Sequence, residues 1–264
     1  MKKSIIFFFL LIISHSYGQK YESTWESLNK RGIPSWFNED KFGIFIHWGV
    51  YAVPAYAPIV ANDGISYSEW YWPRIQAKEK RFWDFHTKNY GENFTYDQFE
   101  PHFKAELYNP HQWAELFKNS GAKYVVLTSK HHDGYALWNS PQADKAWGRP
   151  WNAVTGTPKR DLLGDLTESV RIAGLKMGYY YSLYEWFNPL WQTNKEKYIN
   201  DHMLPQLKDL VNKYHPSIIF SDGEWDLSDS TWRSTEFLAW LFNESPVAKD
   251  VVVNDRWGKN TREK

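Results

Sequence analysis

Carboxylates stand beside tryptophan or at the end of an apolar run at Glu69-Trp70, Glu185-Trp186, Asp222 and Glu224-Trp225. Cleavage of a glycoside needs two carboxyl groups, and aromatic faces to stack on the sugar. Asp222 closes the apolar run Ser217-Ile218-Ile219-Phe220-Ser221, and Gly223 comes next. Ligand sites of parallel α/β barrels gather at the C-terminal ends of the strands, so a carboxylate there reads as a nucleophile. The competing reading is a loop carboxylate that caps the next helix. The consecutive His131-His132-Asp133 suggests metal ligands. Neighbours on a strand point to opposite faces, so at most two of the three reach one ion without a sharp turn. With no helical His-Glu-x-x-His present, hydrogen-bonding histidines are the preferred reading and no metal is expected. A metal-dependent hydrolase using His131 and His132 is the lesser alternative. No Gly-x-Ser-x-Gly elbow supports a serine nucleophile, and no Gly-x-Gly-x-x-Gly supports a dinucleotide.

The elements that would carry these residues share one grammar. Strands are expected at 41–49, 124–128, 177–183, 217–222 and 251–253, each apolar and each delivering polar residues at its far end. Between them, Asn109 caps a helix opened by Pro110 and stopped by Gly121. Leu163, Leu166 and Val170 mark another helix, closed by Gly174. A long helix is expected to break or kink at Pro205 and resume along Leu207, Leu210, Val211 and Tyr214. A last one surrounds Phe237, Leu238, Leu241 and Phe242. Residues 50–105 have no clean period and read as a long functional loop. Strand–helix alternation predicts a (β/α)8-like TIM barrel, with a doubly wound sheet as runner-up.

The 264 residues suit one large α/β domain, and the zero net charge without a basic run gives no reason to expect a nucleic-acid partner. Aromatic residues make up 19%, including 16 Trp, enough to line a cleft as well as a core. Lys2-Lys3, the apolar stretch Ile5 to Ile13 and Ser16-Tyr17-Gly18 read as a secretory signal over 1–18, cleaved before Gln19. A secreted or periplasmic protein, free of the membrane after cleavage, is expected. It has no cysteine, so core burial must stabilise it without disulfides.

Five ordered motifs then carry a resemblance. They are Lys41-Phe42-Gly43-Ile44-Phe45-Ile46-His47-Trp48-Gly49-Val50-Tyr51, Ser68-Glu69-Trp70-Tyr71, the run Ala122 to Gly134, Ser221-Asp222-Gly223-Glu224-Trp225, and Val253-Asn254-Asp255-Arg256-Trp257-Gly258. Together, from about Trp36 to Gly258, the chain resembles the α-L-fucosidases of glycoside hydrolase family 29. The resemblance implies removal of terminal α-L-fucose from fucosylated oligosaccharides or glycoprotein glycans with retention, no cofactor, and a barrel followed by a β-sandwich. It places the nucleophile at Asp222 and sugar-hydroxyl ligands at His47, Glu69, Trp70, His131 and His132. A pocket tyrosine falls at Tyr180, within the run Tyr179-Tyr180-Tyr181, and the arginine of the last motif is Arg256. Where the family often has Trp, two before the nucleophile, this chain has Phe220. Trp48 is expected to pack, Arg256 to pair with Asp255 or join the site, and Glu185 to lie at the surface or behind the site. Glu224 is expected to cap a helix or reach a distal sugar. The family's acid/base glutamate lies downstream of Asn-Asp-Arg-Trp-Gly. Residues 19–264 are therefore read as an incomplete catalytic barrel lacking the last strands, the acid/base and the β-sandwich. Without that glutamate, a non-catalytic fucose-binding protein is the alternative.

Overall fold

The computed structural model describes residues 21–59 and 66–262; the leader expected over 1–18 lies outside them. Five strands are described: β1 (Gly43–Ile46), β2 (Tyr124–Lys130), β3 (Lys176–Ser182), β4 (Ile218–Asp222) and β5 (Val252–Val253). All are parallel and pair in chain order, β1-β2-β3-β4-β5. A doubly wound sheet reverses its order at a switch point. The unbroken order is that of a barrel wall, and it removes the runner-up. Helices Pro110–Asn119, Leu162–Ile172, Leu204–Tyr214 and Ser234–Asn243 precede β2 to β5 in turn.

Alternation along the strands sorts the two faces. Val125 and Leu127 of β2, Met177, Tyr179 and Tyr181 of β3, and Ile219 of β4 pack outward. They share one core with Leu163, Leu166, Val170, Leu207, Leu210, Phe237 and Leu241 of the helices. Val126, Tyr180, Ile218 and Val252 face the other way and form a separate inner cluster with Trp36, Phe37, Tyr124 and Phe220. Tyr180 is therefore the inward tyrosine of its run. Tyr179 instead bonds Thr167 (2.7 Å) and Tyr181 donates to Gln206 (2.8 Å).

A register shift on β2 re-aims the residues at its far end. Thr128 pairs with Tyr180, but Lys130 pairs with Tyr181, so Ser129 is an extra residue. Strict alternation would send Lys130 inward with Val126 and Thr128. The bulge turns it outward, a role such irregularities often serve beside sites. Lys130 Nζ lies over the Tyr181 ring at 4.2 Å and donates to Glu185 Oε1 at 2.6 Å.

Two expectations need correction. Residues 50–105 are not an irregular loop: they contain helices Tyr71–Gln76 and Lys80–Asn89, with 3-10 turns Val50–Ala52, Ser68–Trp70 and Tyr96–His102. The Lys80–Asn89 helix buries only Phe82 and His86, too narrow a stripe to read as a period. Of the two places expected for Glu185, the structure gives the one behind the site: it is fully buried. It accepts from Lys130, His202 (2.7 Å), Asn188 (2.7 Å) and Trp147 (3.3 Å). The helix does not break at Pro205: a π-helical turn, Ile199–Met203, leads directly into the α-helix that carries Pro205 in its first turn. That helix ends at His215, which takes φ +49° ahead of Pro216.

Burial alone would raise the Glu185 pKa, but His202 and Lys130 together hold it well below the ordinary carboxylate range. Glu185→Leu should destabilise the fold by roughly 3–5 kcal/mol in urea unfolding, because it leaves Lys130 buried without its counter-charge. The folded pKa is the lower one. The wild-type contribution is therefore complete above the unfolded value of about 4.3 and fades as pH falls below it. An unchanged unfolding midpoint in the variant would refute this.

Candidate active site

At the carboxyl ends of the strands lies an open hollow of about 510 Å³, lined by Phe45, His47, Tyr67, Glu69, Trp70, Arg74, His131, Tyr180, Phe220, Asp222, Trp225 and Arg256. Seven of the eight residues singled out from the sequence line it, and the eighth, His132, sits directly behind. Strand geometry explains the grouping. His47 comes just after β1, and the bulge at Ser129 brings His131 inward after Lys130. Tyr180 faces in from β3, and Asp222 ends β4 beside Ser182 in the register. Gly223 takes φ +77°, which turns the chain sharply off the strand, and a Cβ there would meet Tyr184 Cβ at 2.8 Å.

Asp222 has both oxygens engaged. Oδ1 accepts from Arg256 Nη1 at 2.7 Å, Oδ2 accepts from the Tyr180 hydroxyl at 2.7 Å, and His132 Nε2 lies 3.6 Å from Oδ2. The side chain is only 13% exposed. Burial pushes its pKa up, but the Tyr180 hydrogen bond and the Arg256 guanidinium counter that, and it is held below the ordinary value. Burial dominates the histidines. It lowers His47 against the pull of Glu69 and Asp222, and depresses His131 strongly with help from His132, His47 and Lys130. His132 is pushed down to about 3, again chiefly by burial, against the attraction of Asp222. The site therefore presents the Asp222 carboxylate paired with Arg256, and three neutral imidazoles at neutral pH, with Glu69 and Arg74 also on the lining. Such a set suits an uncharged, hydroxyl-rich ligand.

The rings form the walls. His131 stacks parallel to Tyr180 with centroids 5.4 Å apart, and His47 lies 5.3 Å from the same ring. Trp70 and Trp225 are tilted together at 5.8 Å, and both contact His132. Phe220 packs against Tyr180 and lies under Arg256. Among the described residues, ligand atoms of His47, Glu69 and His131 lie within 4.8 Å of one another. The grouping the sequence suggests for a metal, His131 with His132, is not the one assembled. His132 turns Nδ1 to Ser182 at 2.5 Å and Nε2 to Asp222.

Trp48 packs on Phe103, Tyr108 and Trp113, away from the hollow, as its sequence context suggests. Arg256 pairs with Asp222. Glu224 is buried, its Oε1 held by Arg262, and does not line the hollow. Phe45, Tyr67, Arg74 and Trp225 line the hollow without being marked as site residues by the sequence. Phe45 has a legible signal, since it lies two before His47 on one strand face. Arg74 and Tyr67 lie where no period is legible.

Parallel strands in chain order with polar groups converging at their carboxyl ends define the class: a (β/α)8-barrel protein with its site at the strand ends. Comparison with known proteins narrows it. The alpha-L-fucosidase family model matches residues 9–264. Alpha-L-fucosidase of Dictyostelium discoideum is 46% identical over all of this chain and 57% of its own length. The human tissue enzyme is 44% identical over 92% of this chain and 50% of its own. The Thermotoga maritima alpha-fucosidase structure in complex with fucose has a TM-score of 0.75 at 39% identity. It covers 90% of this chain and 57% of that one. The chain belongs to the alpha-L-fucosidase family, and it spans about half the length of the curated relatives it matches.

Tyr180→Phe removes the hydroxyl that donates to Asp222 Oδ2 and should raise the Asp222 pKa. A carboxyl-carbon NMR titration reads this directly, and an unmoved or lowered pKa would contradict the assigned hydrogen bond.

Proposed function

We propose that this chain carries the sugar-binding, nucleophile-bearing part of a secreted, retaining exo-glycosidase that releases terminal α-L-fucose from fucosylated oligosaccharides and glycoprotein glycans. The observation that supports it best is Asp222, an ionised carboxylate held from two sides at the floor of a hollow wide enough for one pyranose. Family membership supports the substrate class, as does a relative solved with fucose bound. Among the described residues no helix is long and apolar enough to cross a membrane, which is compatible with export.

In this reading an Asp222 oxygen attacks the anomeric carbon as the bond to the leaving oxygen breaks, and a second carboxyl group protonates that oxygen. The resemblance puts this proton donor downstream of Asn254-Asp255-Arg256-Trp257-Gly258. Water, deprotonated by the same group, then displaces Asp222 and restores the configuration. The hydrogen bonds from Tyr180 and Arg256 serve both halves. They keep the nucleophile charged below the ordinary aspartate value and make it a better leaving group in the second step. His47, Glu69 and His131 hold sugar hydroxyls, while Trp70 and Trp225 offer apolar faces. Because the folded pKa of Asp222 is the depressed one, the nucleophile stays active as pH falls through about 4, the ordinary aspartate value, and is lost only below its own folded value.

An aryl α-L-fucoside tests this, because a good leaving group needs little protonation. The chain should release a burst of phenolate and then slow. Asp222→Ala should remove the burst by a factor of at least roughly 10² to 10⁴ while fucose binding remains measurable. An undiminished burst in the variant would overturn the nucleophile. Binding without a burst in the parent chain would favour a fucose-binding protein instead.

A further inference from the structure

Ser182 ends β3 directly opposite Asp222 in the register and is fully buried. Its hydroxyl contacts the Tyr184 carbonyl and lies 2.5 Å from His132 Nδ1. A serine hydroxyl has one proton, and a carbonyl oxygen can only accept. The proton therefore goes to Tyr184, and the serine oxygen must accept from His132 Nδ1–H. A neutral imidazole has one N–H, so this contact decides the state of the other nitrogen. The ring is enclosed by Trp186 and Trp225, with centroids at 5.1 and 5.0 Å, which disfavours a charged imidazolium.

We infer that Ser182 is a positioning residue that locks His132 as the Nδ1–H tautomer, so that Nε2 beside Asp222 is purely a hydrogen-bond acceptor. Nε2 stands 3.6 Å from Asp222 Oδ2 and 3.4 Å from the Tyr180 hydroxyl, whose proton goes to Asp222 at 2.7 Å. The tautomer has two consequences. Asp222 keeps only the Tyr180 and Arg256 hydrogen bonds and is not quenched by a third. His132 sits behind the hollow rather than on its lining, so a sugar meets the tautomer through Asp222, whose Oδ2 stays open to a hydroxyl donor. This inference rests on the sugar-binding reading of the hollow, but the tautomer itself exists without sugar.

Nitrogen-15 NMR of histidine-labelled protein at neutral pH, with His132 assigned by signal loss in His132→Gln, tests it. The expected spectrum has a protonated Nδ1 and a bare Nε2. A protonated Nε2, alone or with Nδ1, would overturn the inference while leaving the burst experiment to judge the enzyme reading. Ser182→Ala should shift population toward Nε2–H, which then finds Asp222, and weaken fucose binding in calorimetry by about tenfold, the worth of one hydrogen bond. Unchanged tautomer and affinity in that variant would remove Ser182 from the role. Should the variant not fold, the parent spectrum still decides.

Discussion

A carboxylate that is almost buried and still charged is the constraint around which this structure is arranged. Removing Asp222 from water disfavours its ionised form, and only compensating donors can restore it. Tyr180 and Arg256 supply those donors from β3 and from the segment after β5, so the charge depends on strands on both sides of β4 holding register. A one-residue slip would turn Tyr180 outward and leave Asp222 with a single partner. Backbone pairing and site electrostatics are thus one problem here.

The outer face solves a matching problem. The bulge at Ser129 throws Lys130 outward and His131 inward, and an outward lysine in a helix-covered layer needs a counter-charge. Glu185 provides it, and the chain continues into Trp186, whose backbone N–H donates to the His132 carbonyl at 2.9 Å and whose ring lies against His132. One buried ion pair therefore anchors both the end of β2 and the loop that walls the histidines. Its cost is tolerable only because Glu185 is fully hydrogen-bonded.

Much of this is legible in the sequence. The five apolar runs with polar tips mark the strands, since a parallel sheet covered on both faces leaves no alternation to confuse with a surface strand. Alternation within β1 also points to Phe45. The parts that are not legible depend on local irregularity or on contacts far apart in the chain. The Lys80–Asn89 helix buries too little to show a period. The Ser129 bulge changes the facing of every residue after it, and no turn residue announces it. The sequence leaves Glu185 open between the surface and a place behind the site, because its partners, Lys130 and His202, come from distant elements. Ser182 reads as strand filler. Its importance emerges only when register sets it opposite Asp222 and under His132.

Direct capture of the covalent intermediate tests the central claim most sharply. A fluorinated α-L-fucosyl donor with a good leaving group, which forms a glycosyl ester quickly and hydrolyses it slowly, should add one fucosyl unit per chain. Peptide mapping should place that unit on the fragment containing Asp222. A label on Glu69 or any other carboxylate, with Asp222 unmodified, would contradict the assignment of Asp222 as the nucleophile.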